Sequence, residues 1–553
     1  MLCHVYLTDN KLAVRAPFAA KDQLKAVPGA RWNKDLHVWV YPPTPHAAKG
    51  LFEALPAETT TWGETAAALL VEAERIIRQA AHKDAVDLAP IPLTKADPAP
   101  WLHQVRGYHF GKSLPACMLA MQMRTGKTRT TIDIIQNRGS RLVLVVCPNK
   151  VLEGEVWAEQ LATYCLVPHI VLTLWGGSIA TRTAQLKQQV ELSRLRKEML
   201  VVCLNFEAIW RDPLSGALLQ IPWDSVVLDE SHRIKAPGGK AALFCSRLGD
   251  LVPHRMCLTG TPMAHSPLDV YAQYRFLDKG IFGTSFTAFR SRYAKMGGFG
   301  NHQVLSYENQ EDLQRRFYSI AYRVETEDVL DLPEKQDITL YCRLSPYAQR
   351  LYRELADDFV TEVENRTVTA SNALTRLLRL QQLTGGYLRK DHDVETGTEG
   401  EVVQVDTSKR ELLAETLENL HADEPVVVYC RFHHDLDAVH EVAAALSRTS
   451  SEVSGRRSDM KAWQRGETTI LAVQIQGGSE GNDFARAHIM FFYSVGFSLF
   501  QFEQAYMRIR SDAQKHACTY YYLIAKGTVD EQVYQAIKAR QDVVESVLKG
   551  VRA

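Results

Sequence analysis

The chain is 553 residues long, and at roughly 150 residues per domain that length excludes a single core and implies three to four compact units. An apolar fraction of 46% and a charged fraction of 23% exclude a disordered or fibrous chain. With 64 basic and 64 acidic residues there is no net field to draw the whole molecule to nucleic acid or to a membrane, so any polyanion site has to be local.

Ten scattered cysteines, none in Cys-x-x-Cys spacing, read as reduced core thiols and favour a cytoplasmic setting. The segment from Met1 to Lys11 lacks a long apolar run, and the longest apolar stretch, Ile489 to Phe500, is shorter than the roughly 20 residues of a membrane span. The expectation is a chain neither secreted nor membrane-spanning. Balanced charge implies a monomer by default.

In chain order, residues 1–55 hold seven basic and four acidic residues, with Trp32 and Trp39 flanking a polar turn, and read as a small basic α+β module. Residues 56–100 reverse that balance. There a helical pattern through Leu69, Leu70, Ala73, Ile76 and Ile77 gives way to a linker broken by Pro90, Pro92, Pro98 and Pro100. From Trp101 to residue 284, short apolar runs (Leu114 to Ala120, Leu142 to Cys147, Leu200 to Leu204, Val226 to Leu228, Arg255 to Leu258) alternate with helix-like sequence, the pattern of a parallel sheet wrapped by helices. Residues 285–400 read as a helical insertion with a loop at Gly297, Gly298 and Gly300. Residues 401–553 repeat the α/β pattern at Val426 to Cys430, Ile470 to Ile475, His488 to Tyr493 and Thr519 to Ile524. The fold class is α/β with two parallel-sheet lobes.

Gly126-Lys127-Thr128 lies between an apolar strand and the helix-like run Thr130 to Ile135, where a phosphate-cradling loop belongs. Lys127 would neutralise charge between β- and γ-phosphates, and the Thr128 hydroxyl would ligate magnesium. The strict phosphate-loop pattern fails at its first glycine, which is Met121. Asp229-Glu230-Ser231-His232 follows the strand Ser225 to Leu228, so two carboxylates stand at the carboxyl end of a parallel strand, the edge at which ligands bind. One can hold magnesium while the other deprotonates water, as ATP hydrolysis requires. Thr259-Gly260-Thr261-Pro262 ends another strand and is positioned to sense that pair. In the second lobe, Gln504 and Arg508 lie four apart and would share one face of a helix spanning Leu499 to Ile509, with Arg508 suited to an arginine-finger role.

The order Gln104, Gly126-Lys127-Thr128, Pro148, Asp229-Glu230-Ser231-His232, Thr259-Gly260-Thr261-Pro262, Gly477-Gly478 and Gln504 to Gln514 resembles the Snf2 family of superfamily 2 ATPases over roughly residues 100 to 540. The phrases Asp331-Leu332-Pro333-Glu334-Lys335, Leu344-Ser345-Pro346 and Thr528-Val529-Asp530-Glu531 are similar to the family as well. The resemblance implies two RecA-like lobes, ATP with magnesium, and DNA-dependent hydrolysis that moves the protein on, or remodels, duplex or forked DNA. A strand-separating helicase and a DNA-binding scaffold with a weakened ATPase are the alternatives. Pro28-Gly29-Ala30-Arg31-Trp32 with Val38-Trp39-Val40 is similar to the HARP module of annealing helicases.

Carried over by position, the resemblance makes Gln104 the adenine reader and Thr125, Gly126, Lys127, Thr128 and Arg129 the nucleotide-binding segment. Asp229 becomes the metal carboxylate, Glu230 the catalytic base, and Arg508 with Arg510 the completing arginines. His232, Thr259, Gly260, Thr261 and Gln504 would couple nucleotide state to DNA. The family has an acidic pair where Met121 and Gln122 stand, a glycine at Arg124, a second arginine at Ser511 and a glycine at Ala513. A motor of this type grips phosphates and does not read bases. The expected DNA contacts are Pro148, Asn149 and Lys150, Gly477, Gly478, Ser479 and Gly481, the basic stretch Arg290, Arg292 and Lys295, and Arg376, Arg379, Arg389 and Lys390. Trp32 and Trp39 either stack on exposed bases or form the module's core.

Overall fold

A computed structural model describes residues 2–81, 88–297, 303–364, 370–389, 402–475, 484–496, 498–511 and 514–549. The chain divides into two compact units, one built on Met1–Val329 and the other on Leu330–Asp542.

The first unit begins with five strands: β1 (Cys3–Thr8), β2 (Lys11–Arg15), β3 (Arg31–Asn33), β4 (Val38–Tyr41) and β5 (Thr60–Trp62), in the order β3-β4-β2-β1-β5. Alternation of apolar residues puts Val5, Leu12, Val14 and Tyr41 on the face covered by the helix Pro45–Ala54, whose Leu51 is fully buried. β5 pairs in parallel with β1, so this sheet takes a strand from beyond residue 55. Three residues, Thr-Thr-Trp, are too short a run to announce a strand in the sequence. Trp32 and Trp39 face each other across β3 and β4 with ring centroids 5.4 Å apart, Trp39 packing toward the core while Trp32 stays 47% exposed.

The large sheet of this unit consists of β6 (Ala116–Met121), β7 (Leu142–Cys147), β8 (His169–Thr173), β9 (Met199–Asn205), β10 (Ser225–Asp229) and β11 (His254–Leu258). After a hairpin of β12 (Ala294–Gly297) and β13 (Gln303–Tyr307), β14 (Ala321–Val324) joins it, giving the order β14-β6-β11-β10-β7-β9-β8. Every pairing is parallel. β6, β7, β9 and β10 are buried along their whole length, which explains why they read as unbroken apolar runs and not as alternating ones.

The second unit carries β15 (Lys335–Cys342), the pair β16 (Tyr387–Arg389) and β17 (Val402–Gln404), then β18 (Val426–Cys430), β19 (Ser450–Val453), β20 (Ile470–Gln474), β21 (Ile489–Phe492) and β22 (Cys518–Ala525). Its main sheet runs β15-β22-β21-β18-β20-β19, again parallel throughout. The stretch read as one helical insertion, 285–400, is therefore divided. It contains the helices Phe286–Tyr293, Gln310–Tyr318, Pro346–Glu364 and Ala370–Thr384, but it also supplies β14 to one main sheet and β15 to the other. Gly298 and Gly300 lie outside the described residues. Among the described residues no helix is long and apolar enough to cross a membrane.

Candidate nucleotide site

The loop after β6 leads into the helix Lys127–Asn137, and Gly126 caps that helix in the left-handed region at φ +81. Conformation favours glycine here, and a Cβ on Gly126 would fall 2.1 Å from Gln104 Nε2, so any other residue also displaces the Gln104 side chain. Arg124 also takes a left-handed conformation, φ +64, which accounts physically for a glycine in its place elsewhere in the family it resembles.

The loop is held from several sides. His103 Nε2 lies 2.8 Å and Gln104 Nε2 3.3 Å from Thr125 O, while Gln104 Oε1 accepts the Trp101 N–H at 3.1 Å. The Thr125 hydroxyl donates to Gln122 O at 2.7 Å and the Lys127 ammonium to the same oxygen at 3.2 Å. Thr326, just past β14, donates its N–H to Gln122 Oε1 and its hydroxyl to Met123 O. Gln122 thus does structural work at a position the resemblance flagged only as a departure.

Asp229 is the last residue of β10, and Glu230 follows it at φ +51, turning the chain off the sheet edge. Asp229 is 9% exposed; its Oδ2 accepts the Trp157 indole N–H at 3.0 Å and its Oδ1 the Glu230 backbone N–H at 3.0 Å. Burial, with Glu230 beside it, raises its pKa against the opposing pull of Trp157 and Lys127. Burial alone would raise the pKa of Glu230 too, but the His232 hydrogen bond and the charges of His232, Lys127 and Arg233 outweigh it and hold Glu230 below the usual carboxylate range. The two titrate as a pair. Their asymmetry keeps the outer carboxylate ionised. It is also the more open of the two, at 20% exposed.

His232 Nδ1 lies 3.3 Å from Glu230 Oε2 and 3.2 Å from Thr259 Oγ1, which in turn accepts the Thr261 N–H at 3.1 Å. At Gly260 a Cβ would meet Gln122 Cα at 3.2 Å and Met123 N at 3.5 Å, so the end of β11 lies directly on the phosphate loop. His232, Thr259, Gly260 and Thr261 therefore connect the acidic pair to that loop within one unit. Ser231 donates to Gln273 Oε1 at 2.7 Å, and Gln273 donates to Pro262 O, fixing the turn from behind.

Other predicted residues fall elsewhere. Arg129 is not brought to the loop: it is 5% exposed, donates to Lys95 O at 2.7 Å, lies 3.9 Å from Asp133 and stacks over the Tyr164 ring. Two residues past Lys127, the helical period carries it to another face. Pro148 caps the short helix Asn149–Glu153 after β7, where Asn149 Oδ1 accepts from Asn205 Nδ2 at 2.7 Å. In the second unit the helix is Leu499–Tyr506 and stops short of Ile509. Gln504 lies on it, but Arg508 falls in a tighter turn, its N–H bonded to Ala505 O, so the two do not share a continuous helical face. Arg508 is buried near Tyr429, and Arg510 donates to Pro333 O at 3.0 Å. Ser511 is buried. Arg376 and Arg379 lie on the helix Ala370–Thr384 and are partly buried. Gly477, Gly478, Ser479, Gly481, Lys390 and Ala513 lie outside the described residues.

Trp157, Thr326, Gln122 as a hub and the buried Lys409–Asp530 bridge at 2.5 Å are not legible in the sequence. None shows a spacing signal; each meets its partner through tertiary packing.

The donor set fits nucleotide and magnesium. A glycine-capped helix start offers backbone N–H groups to phosphate, and the Thr128 hydroxyl and the Asp229 carboxylate offer oxygens. No cluster of three or more His, Cys, Asp or Glu able to hold a metal by itself occurs among the described residues.

Residues 32–386 match the family described as the SNF2-related domain. A putative protein p41 of Acyrthosiphon pisum secondary endosymbiont phage 1 is 23% identical over 452 residues, 78% of this chain and 94% of that protein. The CHD3-type chromatin-remodeling factor PICKLE of Arabidopsis thaliana is 22% identical, covering 78% of this chain, and an uncharacterized ATP-dependent helicase of Mycoplasma genitalium is 22% identical, covering 81%. The chain spans only 33% and 41% of those two larger relatives. A solved structure of a Sulfolobus solfataricus SWI2/SNF2 ATPase core in complex with dsDNA is 19% identical, covers 81% of this chain and 92% of that one, and has a TM-score of 0.37. With the matched segment taking in the phosphate loop, the acidic pair and the Thr-Gly-Thr strand end, the chain belongs to the SNF2-related family of ATPases.

Proposed function

We propose that the chain uses ATP hydrolysis to move along or remodel duplex DNA, branched or forked duplexes included, without reading sequence. The observation that carries this reading is the convergence, at the carboxyl edge of one parallel sheet, of a glycine-capped helix start with a carboxylate pair whose outer member is held ionised by His232. In this reading Gln104 recognises the base, Gly126 and Lys127 bind the phosphates, and Thr128 and Asp229 hold magnesium. Magnesium, when bound, neutralises phosphate charge. Glu230 orients the attacking water and accepts its proton, and Arg508, with Arg510, stabilises charge on the γ-phosphate.

His232, Thr259 and Thr261 relay nucleotide state, and Gln504 does so in the second unit. Pro148, Asn149, Lys150, Gly477, Gly478, Arg376 and Arg379 contact the DNA backbone. The exposed Trp32, beside Arg31 on the amino-terminal sheet, supports a part for that module at unpaired or branched DNA. The relatives named above as chromatin-remodelling factor and helicase are in keeping with this reading.

Phosphate release measured with single-stranded, duplex and forked DNA is the test. Stimulation by duplex or forked DNA supports the proposal, and DNA binding without turnover overturns it in favour of a scaffold. Displacement of a triplex strand without duplex unwinding separates translocation from strand separation.

A further inference from the structure

Trp157 occupies the first turn of the helix Val156–Tyr164 and is 2% exposed. Its indole can only donate, and its N–H is spent on Asp229 Oδ2 at 3.0 Å. The other oxygen of that carboxylate receives the Glu230 backbone N–H at 3.0 Å. Two donors on two oxygens fix both the rotation and the tilt of the carboxylate, and with them the directions of the lone pairs left over. The indole is a rigid plane buried in its helix packing and cannot follow the carboxylate if that group turns. A buried tryptophan N–H needs an acceptor, and a backbone carbonyl would serve at far lower cost than a desolvated carboxylate. The pairing is explained if what benefits is the aspartate.

We propose that Trp157 is a positioning residue which locks the Asp229 carboxylate in the orientation that receives magnesium with the nucleotide. This rests on the nucleotide-site reading above and extends it by one residue. Groups that orient a metal-binding carboxylate typically change metal affinity about 10- to 100-fold when removed. The effect therefore belongs to the magnesium-dependent part of nucleotide binding. Binding in the absence of magnesium, which draws on Gln104, Gly126 and Lys127, does not involve it.

The test is a titration of the full chain with fluorescent ADP, in EDTA and across a magnesium series, for the parent and for Trp157→Phe. The expected result is unchanged affinity in EDTA and a rise of about tenfold or more in the magnesium concentration for half-maximal effect. Equal weakening in both conditions, or no change in magnesium response, overturns the role of Trp157. Should Trp157→Phe fail to fold, benzothienylalanine placed at position 157, which keeps the ring shape and replaces N–H by sulfur, decides the matter by the same readout. In an Asp229→Asn background Trp157→Phe should add nothing, and additive losses overturn the proposal. A parent protein whose nucleotide binding ignores magnesium overturns the site itself, whereas a responsive parent with an equally responsive Trp157→Phe overturns only the inference about Trp157.

Discussion

Replacing Gly126 by alanine tests the phosphate loop at its most constrained point. At φ +81 an L side chain costs about 1–2 kcal/mol in backbone strain. The new Cβ would sit 2.1 Å from Gln104 Nε2, so Gln104 has to leave a buried position. It then forfeits the 3.3 Å bond to Thr125 O and loosens the 3.1 Å bond from Trp101 N–H, at roughly 0.5–1.5 kcal/mol each. Together these come to about 3 kcal/mol, which reads as roughly a hundredfold loss of nucleotide affinity if the loop must hold this shape to bind. Titration with a fluorescent nucleotide measures it directly. Gln104→Ala removes the steric part, so in that background Gly126→Ala should cost only the backbone strain, about 1–2 kcal/mol. A Gly126→Ala protein that binds nucleotide within threefold of the parent refutes the reasoning.

Lys127→Ala and Glu230→Gln should each lower DNA-stimulated phosphate release by about 100-fold or more, with Glu230→Gln still binding nucleotide; parent rates from either would remove the assigned site. Arg508→Ala should keep nucleotide affinity and lose hydrolysis by about 1000-fold in single-turnover assays. Lys409→Met strands the buried Asp530 carboxylate, and denaturant unfolding of the second unit should show a loss of about 3 kcal/mol. Asp312 would be raised by burial, but the Tyr293 hydroxyl and the Arg316 and Arg292 guanidinium groups hold it down at about 2. With the folded value below the unfolded one, its contribution of about 2 kcal/mol is present above pH 4 and lost as pH falls toward 2. The stability gap between the parent and Asp312→Asn in acid titrations should close over that window, and a gap constant from pH 7 to 2 would contradict it.

Much of the architecture was legible because parallel strands buried on both faces must be apolar throughout. Leu142–Cys147 and Val426–Cys430 emerge with the bounds their sequence implies. β5, β14, β15 and β19 carry no such signal: they are short or hold polar residues, as Lys335–Cys342 does with Lys, Gln and Asp, and they are strands only because a neighbour offers an edge. The spacing over Leu499–Ile509 outruns the observed helix for a related reason, since apolar spacing continues past Tyr506 while the backbone tightens there.

The order of residues along the chain carries the chemical inventory: a glycine before Lys127 and Thr128, two carboxylates at a strand end, a threonine pair after the next strand. These are legible because a phosphate loop and a strand-end acid pair are local structures, made by residues adjacent in the chain. It takes the folded chain for Trp157 to hold Asp229 from 72 residues away, for Thr326 to clasp Gln122 from 204 away, and for Arg129 to turn from the site into packing. Those partners meet through helices and strands closing on one sheet edge, and no periodicity along the chain encodes a contact made across it.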